Sequence, residues 1–165
     1  MPTQKKLFKR NEYLVSQGDK NQNISAIISG AVRVYYLSKD EEFTIRFGYK
    51  DSMISMLPTY FTGEGSLFYM QALRSTEVLM IAKSDLDQYL SEHPKHHLDY
   101  NELLQSIVAQ QMEREIDLLT TSPQERLFRV MNRSPKVFQE IPLKYIASYL
   151  RMTPETLSRI MKSNS

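Results

Sequence analysis

The sequence predicts an α+β chain: an antiparallel β-barrel in front, one long helix, and a C-terminal helix-turn-helix. Three observations carry this prediction. Residues 12–82 alternate apolar and polar side chains in short runs separated by Gly, Asp and Ser. From about Ser84 the apolar residues recur instead at steps of three and four. The segment 143–162 then sets its small and apolar residues where two short, steeply crossing helices need them.

The strands follow in order. Tyr13–Val15 is closed by Ser-Gln-Gly-Asp, and Ile24–Ile28 by Ser-Gly. Val32–Leu37 is closed by Ser-Lys-Asp-Glu-Glu, and Phe43–Phe47 by Gly-Tyr-Lys-Asp. Along the third run Ala31, Arg33 and Tyr35 fall on one face, while Val32, Val34 and Tyr36 fall on the other. Short strands with regular Gly and Asp turns point to a barrel or sandwich, with Glu77–Ile81 as its last strand. Ahead of them Lys5, Lys6, Lys9 and Arg10 form a basic patch, read as a frayed terminus, with DNA-backbone contact as the alternative.

Asp85–Leu90 begins the helical region, which breaks near His93-Pro94 and continues as a long helix over Leu98–Leu119. Leu104, Ile107, Val108, Met112, Ile116 and Leu119 form one apolar stripe on that helix. Such a stripe needs a partner. The choices are the barrel of the same chain and, the reading preferred here, the same stripe of a second copy. Beyond Thr121-Ser-Pro-Gln the helical pattern resumes over Glu125–Met131, breaks at Ser134-Pro135, and leads through Val137–Ile141 to the closing pair. The organisation is therefore a sensor barrel over residues 1–97, a dimerisation helix over 98–121, and a helix-turn-helix domain over 122–165.

Composition narrows the chemistry. The 165 residues include no cysteine, which excludes disulfides, thiolate metal sites and cysteine nucleophiles. The basic N-terminus has no apolar run behind it, and the longest such run, Val78–Ala82, is too short to span a bilayer. A cytoplasmic chain with no membrane partner is expected. The net charge of +2 hides an asymmetry. From Pro123 onward eight Lys and Arg face three Glu, so the tail carries +5 and the preceding residues −3. An acidic front with a basic tail suggests sensing in one part and a polyanion at the other.

In Leu143–Lys162, counting Leu143 as the first position, apolar residues stand at positions 4, 8, 10, 15 and 18: Ile146, Leu150, Met152, Leu157 and Ile160. Position 5 is Ala147, where the two helices approach too closely for a larger side chain. Thr153 followed by Pro154 specifies the start of the second helix, residues 154–163. Position 9, where a left-handed turn suits Gly, is Arg151, and keeping that turn costs about 1 kcal/mol. Leu157, Ile160 and Met161 face inward, leaving Glu155, Thr156, Ser158, Arg159 and Lys162 on the opposite side. Arg reads guanine and Glu accepts from cytosine in the major groove of double-stranded DNA. Thr153, Ser158 and Lys162 suit phosphates.

These residues resemble the cyclic AMP receptor protein/Fnr (Crp/Fnr) family of transcription regulators, especially its members of the Bacteroidetes type. The resemblance covers nearly the whole chain. It is carried in front by Leu14-Val-Ser-Gln-Gly-Asp19 and Ile27-Ile-Ser-Gly-Ala-Val-Arg-Val-Tyr-Tyr36, and at the end by Tyr145–Ile160. It implies a jelly-roll front of the cyclic-nucleotide-binding kind and base reading by Glu155, Ser158 and Arg159. It also implies a homodimer with one recognition helix per half-site, contact with RNA polymerase, and a small-molecule effector. The chain departs from the family pattern in starting almost at the first strand and in stopping soon after the recognition helix, which leaves out the wing strands of some members.

Cyclic-nucleotide binders of this family carry a Gly-Glu-(Leu/Ile) turn and then an Arg-(Ser/Thr)-Ala that grips the phosphate. Here Gly63-Glu64-Gly65 and Arg74-Ser75 offer the pieces, but only Glu77–Ile81 follows Arg74, where two strands should follow. Counting back from the last strand puts Ser66 in the gripping place. Without a cation a cyclic phosphate loses charge-assisted bonds worth about 1.5–3 kcal/mol each. Gly63, Glu64, Gly65 and Ser66 are the candidate pocket lining for a different small ligand, with no ligand at all as the alternative. Tyr60, Phe61, Phe68 and Tyr69 either join that pocket or belong to the core. Of His93, His96, His97 and Asp99, the His93/His97 spacing can place two imidazoles on one helical face, but Pro94 stands between them and no third ligand is evident. The cluster therefore reads as a solvated helix start, and neither metal nor cofactor is expected. No nucleophile triad, P-loop or paired-carboxylate pattern suggests an enzyme. The alternative function is a ligand-binding regulatory module without DNA contact.

Overall fold

The computed structural model describes residues 2–163. Its chain divides into two compact units, Met1–Tyr89 and Leu90–Ser165. Among its described residues the first holds eight strands: β1 (Gln4–Phe8), β2 (Tyr13–Val15), β3 (Asn23–Ser29), β4 (Ala31–Ser38), β5 (Glu41–Tyr49), β6 (Met53–Ile54), β7 (Phe68–Ala72) and β8 (Thr76–Ala82). A short helix, α1 (Leu57–Thr62), lies between β6 and β7.

The strands form two antiparallel four-stranded sheets, ordered β1-β8-β3-β6 and β2-β7-β4-β5. Among the described residues no strand of one sheet pairs with a strand of the other, so the expected closed barrel is an open, jelly-roll-like sandwich. The physical reason lies at the edges. β6 and β2 are two and three residues long, too short for the ladders that closure requires. The core lies between the sheets, with Phe8, Ile27, Ile54, Val78 and Met80 from one and Leu14, Val15, Val32, Val34, Met70 and Ala72 from the other. β4 shows how period-2 alternation works: Val32 and Val34 point into this core, and Arg33 and Tyr35 to the opposite face. There Arg33 Nε and Nη2 donate to Gln71 Oε1 at 3.1 and 2.8 Å, and Nη1 pairs with Glu42 at 2.6 Å. Burial first, and then the hydrogen bond with Tyr13, raises the pKa of the Tyr35 phenol.

The basic N-terminus is no frayed end. β1 pairs along its length with β8, and Lys5 Nζ sits 2.8 Å from Glu77 Oε1. The aromatic residues do not converge on one pocket either. Tyr60 is buried, Phe61 is exposed, Phe68 packs on the core, and Tyr69 stacks on Tyr35 with ring centroids 5.1 Å apart. Phe68 and Tyr69 are neighbours on one strand and so face opposite ways.

The second unit is helical. α2 (Lys83–Glu92) runs across the boundary and a 3-10 turn at Pro94–His96 follows. Then come α3 (His97–Leu119), α4 (Pro123–Arg133), α5 (Val137–Glu140), α6 (Leu143–Tyr149) and α7 (Pro154–Ser163). Among the described residues Leu90, Leu127, Val130, Val137, Ile141, Ile146, Ala147, Leu150 and Leu157 are its buried apolar residues. Of the stripe on α3, Val108, Met112, Ile116 and Leu119 stay exposed, Leu119 at 80%. Among the described residues no helix is long and apolar enough to cross a membrane.

Gly30, between β3 and β4, has φ of +92° and leaves no room for a side chain. A Cβ there would lie 2.4 Å from Thr76 Oγ1 and 2.5 Å from the Ser75 carbonyl oxygen. Thr76 Oγ1 cannot give way, because it both accepts from the Ala31 amide and donates to the Arg74 carbonyl. Gly30→Ala is expected to cost at least about 2 kcal/mol in urea denaturation. An unchanged midpoint would refute the packing described here.

Candidate nucleic-acid interface

α6 and α7 are built from local chemistry. α6 ends at Leu150 in a complete Schellman motif: the Met152 amide donates to Ala147 O at 3.0 Å, and the Arg151 amide to Ser148 O at 3.1 Å. The motif needs a left-handed residue after the cap, and Arg151 supplies it with φ of 57°. The turn expected from the sequence is thus kept without glycine. Thr153 Oγ1 accepts from the Thr156 amide at 3.1 Å and caps α7, whose first residue is Pro154. Ile146, Ala147, Leu150 and Leu157 are fully buried between the two helices and their neighbours, while Met152, Ile160 and Met161 are half-buried.

The candidate site residues separate by this geometry. Glu155, Ser158, Arg159 and Lys162 are exposed and, with Pro154 and Ser163, line one open concavity. Thr153 is exposed but its hydroxyl serves the cap, and the half-buried Thr156 has its hydroxyl 3.1 Å from that of Thr153.

The other candidate group lies in the first unit. Gly63 caps α1 with φ of 73°, and Gly63–Ser66 form the loop from α1 to β7. Two backbone bonds tie this loop to the β2–β3 connection: Gly18 N to Ser66 O at 2.8 Å, and Ser66 N to Asp19 O at 2.9 Å. Gly65 approaches so closely that a Cβ would stand 3.0 Å from Gly18 O. Glu64 is exposed. Ser66 is buried, its Oγ donating to Phe68 O and accepting from Phe68 N. Arg74 lies in the β7–β8 turn, where Nη2 donates to Gly30 O at 3.1 Å. Among the described residues no group of three His, Asp or Glu could hold a metal ion, and His96 Nδ1 lies 3.0 Å from Asp99 Oδ2.

Sequence reasoning missed the ionic junction between α3 and α4. Asp117 has 0% exposure, yet Arg129 Nε reaches its Oδ1 at 3.0 Å and Arg133 pairs with both of its oxygens. Glu113 accepts from Arg129 Nη2 at 2.9 Å. Burial pushes the Asp117 pKa up, but the hydrogen bonds from Arg133 and Arg129 outweigh it and hold the carboxyl below its ordinary value. The bond to Asp117 raises the Arg133 pKa in turn. Buried Arg114, its pKa lowered by desolvation, lies over the Tyr149 ring at 3.7 Å and donates to the Tyr149 carbonyl. The signal was present in the sequence: Glu113 and Asp117 stand at i, i+4, as do Arg129 and Arg133. Two cations of the basic tail are therefore neutralised by the preceding helix, and the +5 overstates the charge available to a polyanion.

The profile of the family described as cyclic nucleotide-binding domain matches residues 5–93. No curated protein matches the chain. Among solved structures, FixK2 from Bradyrhizobium japonicum superposes with a TM-score of 0.83 at 15% identity, covering 99% of this chain and 84% of its own. The catabolite activator protein of Thermus thermophilus gives 0.59 at 21%, covering 98% and 78%. The c-di-GMP responsive global regulator CLP of Xanthomonas campestris gives 0.67 at 13%, covering 98% and 86%. At these identities the likeness is one of fold.

Two measurements test the junction and the turn. Arg151→Gly, which relieves the left-handed strain, should raise stability by about 1 kcal/mol in urea denaturation; a loss would contradict the assigned turn. The folded pKa of Asp117 lies below its unfolded value of about 3.9, so its contribution is present above that value and disappears as pH falls through the folded pKa. Asp117→Asn should cost about 3 kcal/mol at neutral pH and flatten the acid limb of the stability curve below about pH 4. An acid limb identical to that of the natural chain would rule this out.

Proposed function

The chain belongs to the cyclic nucleotide-binding domain family, and on that premise we propose that it is a sequence-specific, DNA-binding transcription regulator of the Crp/Fnr type. The observation that carries this reading is the arrangement of α6 and α7. A capped, ten-residue helix buries Leu157 and presents Glu155, Ser158, Arg159 and Lys162 together on an open surface. That face has the chemistry of a major-groove reader: Arg159 for guanine, Glu155 for a cytosine amino group, Ser158, Lys162 and the capping Thr153 for phosphates. The tail motif from Tyr145 to Ile160 supports the Bacteroidetes type.

The functional molecule is a homodimer. Val108, Met112, Ile116 and Leu119 remain uncovered along α3, and a second copy of the same stripe buries them in a coiled-coil seam. Two α7 helices then meet successive half-sites of double-stranded DNA. The domains of this reading are a sensor over residues 1–97, a dimerisation helix over 98–121 and the DNA-binding domain over 122–165, all in the cytoplasm, with RNA polymerase as the expected further contact.

The sensor does not answer to cyclic AMP in the usual way. β7 and β8 both follow Ser66, only β8 follows Arg74, and the Ser66 hydroxyl is engaged by the Phe68 backbone. The family match favours a second reading, a cyclic-nucleotide module without DNA contact, which calorimetry separates. Tight cyclic AMP or cyclic GMP binding without DNA affinity would support it.

Selection of bound sites from a random duplex pool tests the main reading. A pseudo-palindrome should emerge, with log affinity falling by about 0.9 per phosphate contact for each unit of log salt. Arg159→Ala should cost about 1–3 kcal/mol and relax the preference at one position of each half-site. No enriched sequence, or an unchanged preference in the variant, would refute it.

A further inference from the structure

We infer that Arg126 is a positioning residue, a latch that fastens the end of α3 to the turn before α7 and so fixes the separation of the two reading helices in a dimer. The inference rests on the DNA-binding reading above and goes beyond it, because Arg126 lies outside the reading face. It is half-buried near the start of α4. Its guanidinium reaches four backbone carbonyls in two segments of chain. Nη1 donates to Thr120 O at 2.6 Å and to Thr121 O at 3.1 Å, in the link between α3 and α4. Nε donates to Leu150 O at 2.9 Å, and Nη2 to Arg151 O at 3.4 Å, in the turn between α6 and α7.

Each acceptor sits where position matters. Thr120 is the C-cap of α3, and Leu150 is the C-cap of α6. Carbonyls at helix C-termini lack intrahelical donors and carry partial negative charge, so a cation is favoured at both. Only a planar fork with donors pointing in different directions can hold two such ends at once. A lysine ammonium is a single point and cannot bridge them in the same geometry. The turn keeps its own Schellman bonds and Thr153 its cap without Arg126, so α6 and α7 retain the means to fold. What the guanidinium adds is a tie from the end of α3 to the turn itself, beyond the contact of Arg114 with Tyr149 on the last turn of α6. If α3 pairs with its copy, this tie converts the geometry of the seam into a set spacing of the two α7 helices.

The test uses the whole chain on its selected site and on versions with one or two base pairs inserted between the half-sites. A rigid tie makes the natural chain lose roughly ten-fold or more in affinity per insertion, comparable to a mismatched base pair. Arg126→Gln and Arg126→Lys should both reduce that penalty to roughly three-fold or less while keeping the Arg159-dependent preference within each half-site. A variant that keeps the full penalty, or a lysine that restores it, overturns the latch. A second readout needs no DNA. The chain has no cysteine, so Gln110→Cys on α3 and Ser163→Cys on α7 can carry spin labels, with labelled chain diluted into unlabelled chain. The distance distribution should broaden in Arg126→Lys at unchanged helix content, and an unchanged distribution overturns the proposal. If no duplex is preferred by any of the proteins, the regulator reading falls, and the label distances still decide the latch.

Discussion

Asp117 is a carboxylate withdrawn entirely from solvent, and a charge so placed costs several kcal/mol unless partners replace its water. Arg129 and Arg133, one helical turn apart on α4, are those partners. Their fork geometry accepts α4 in only one register and azimuth against α3, since a shift of one residue turns both guanidinium groups away. An apolar seam would have tolerated sliding. The ionic one does not, and its arginines keep enough exposure to remain hydrated on one side, which lowers the cost of burying the whole cluster. The placement of α5, α6 and α7 within the second unit follows from this junction, reinforced where Arg114 stacks on Tyr149 and grips its carbonyl at the end of α6.

Charge in this tail consequently has two uses. Arg126, Arg129 and Arg133 all come from α4 and all bind the chain itself, whether to carboxylates or to carbonyls. Arg159 and Lys162 come from α7 and stand exposed on its open face. A count of basic residues cannot separate the two sets, because it ignores which helix face each occupies. The structural arginines give α7 a fixed platform, and rigid support is what the proposed reading of bases by a handful of exposed side chains requires.

The sequence made the closing helices legible almost residue by residue. Ala147, Thr153 and Pro154 specify contacts that depend on neighbours a few positions away, so local chemistry suffices. It even exposed the strained position, Arg151, whose left-handed turn the structure retains. The front was legible where strands alternate clearly, as in β4, or form an apolar run between turns, as in β8. β1 was not, since four of its five residues are exposed and its pairing with β8 spans most of the first unit. β6 is two residues long and carries no period at all. The aromatic residues 60, 61, 68 and 69 could be read from sequence as pocket or as core, and strand and helix geometry send them in different directions. The α3–α4 junction was readable in principle from two i, i+4 pairs of opposite charge, yet each pair also reads as a solvated surface, and only the tertiary fold brings them together.

Hydroxyl-radical footprinting on a selected duplex tests the central claim most directly, because it reports where each copy of the chain meets the backbone. Two protected clusters of backbone sugars flanking major grooves, about 10 base pairs apart or a multiple of that, are the expected pattern for a dimer presenting two α7 helices. A single cluster, or protection spread evenly along the duplex at every salt concentration, would contradict it.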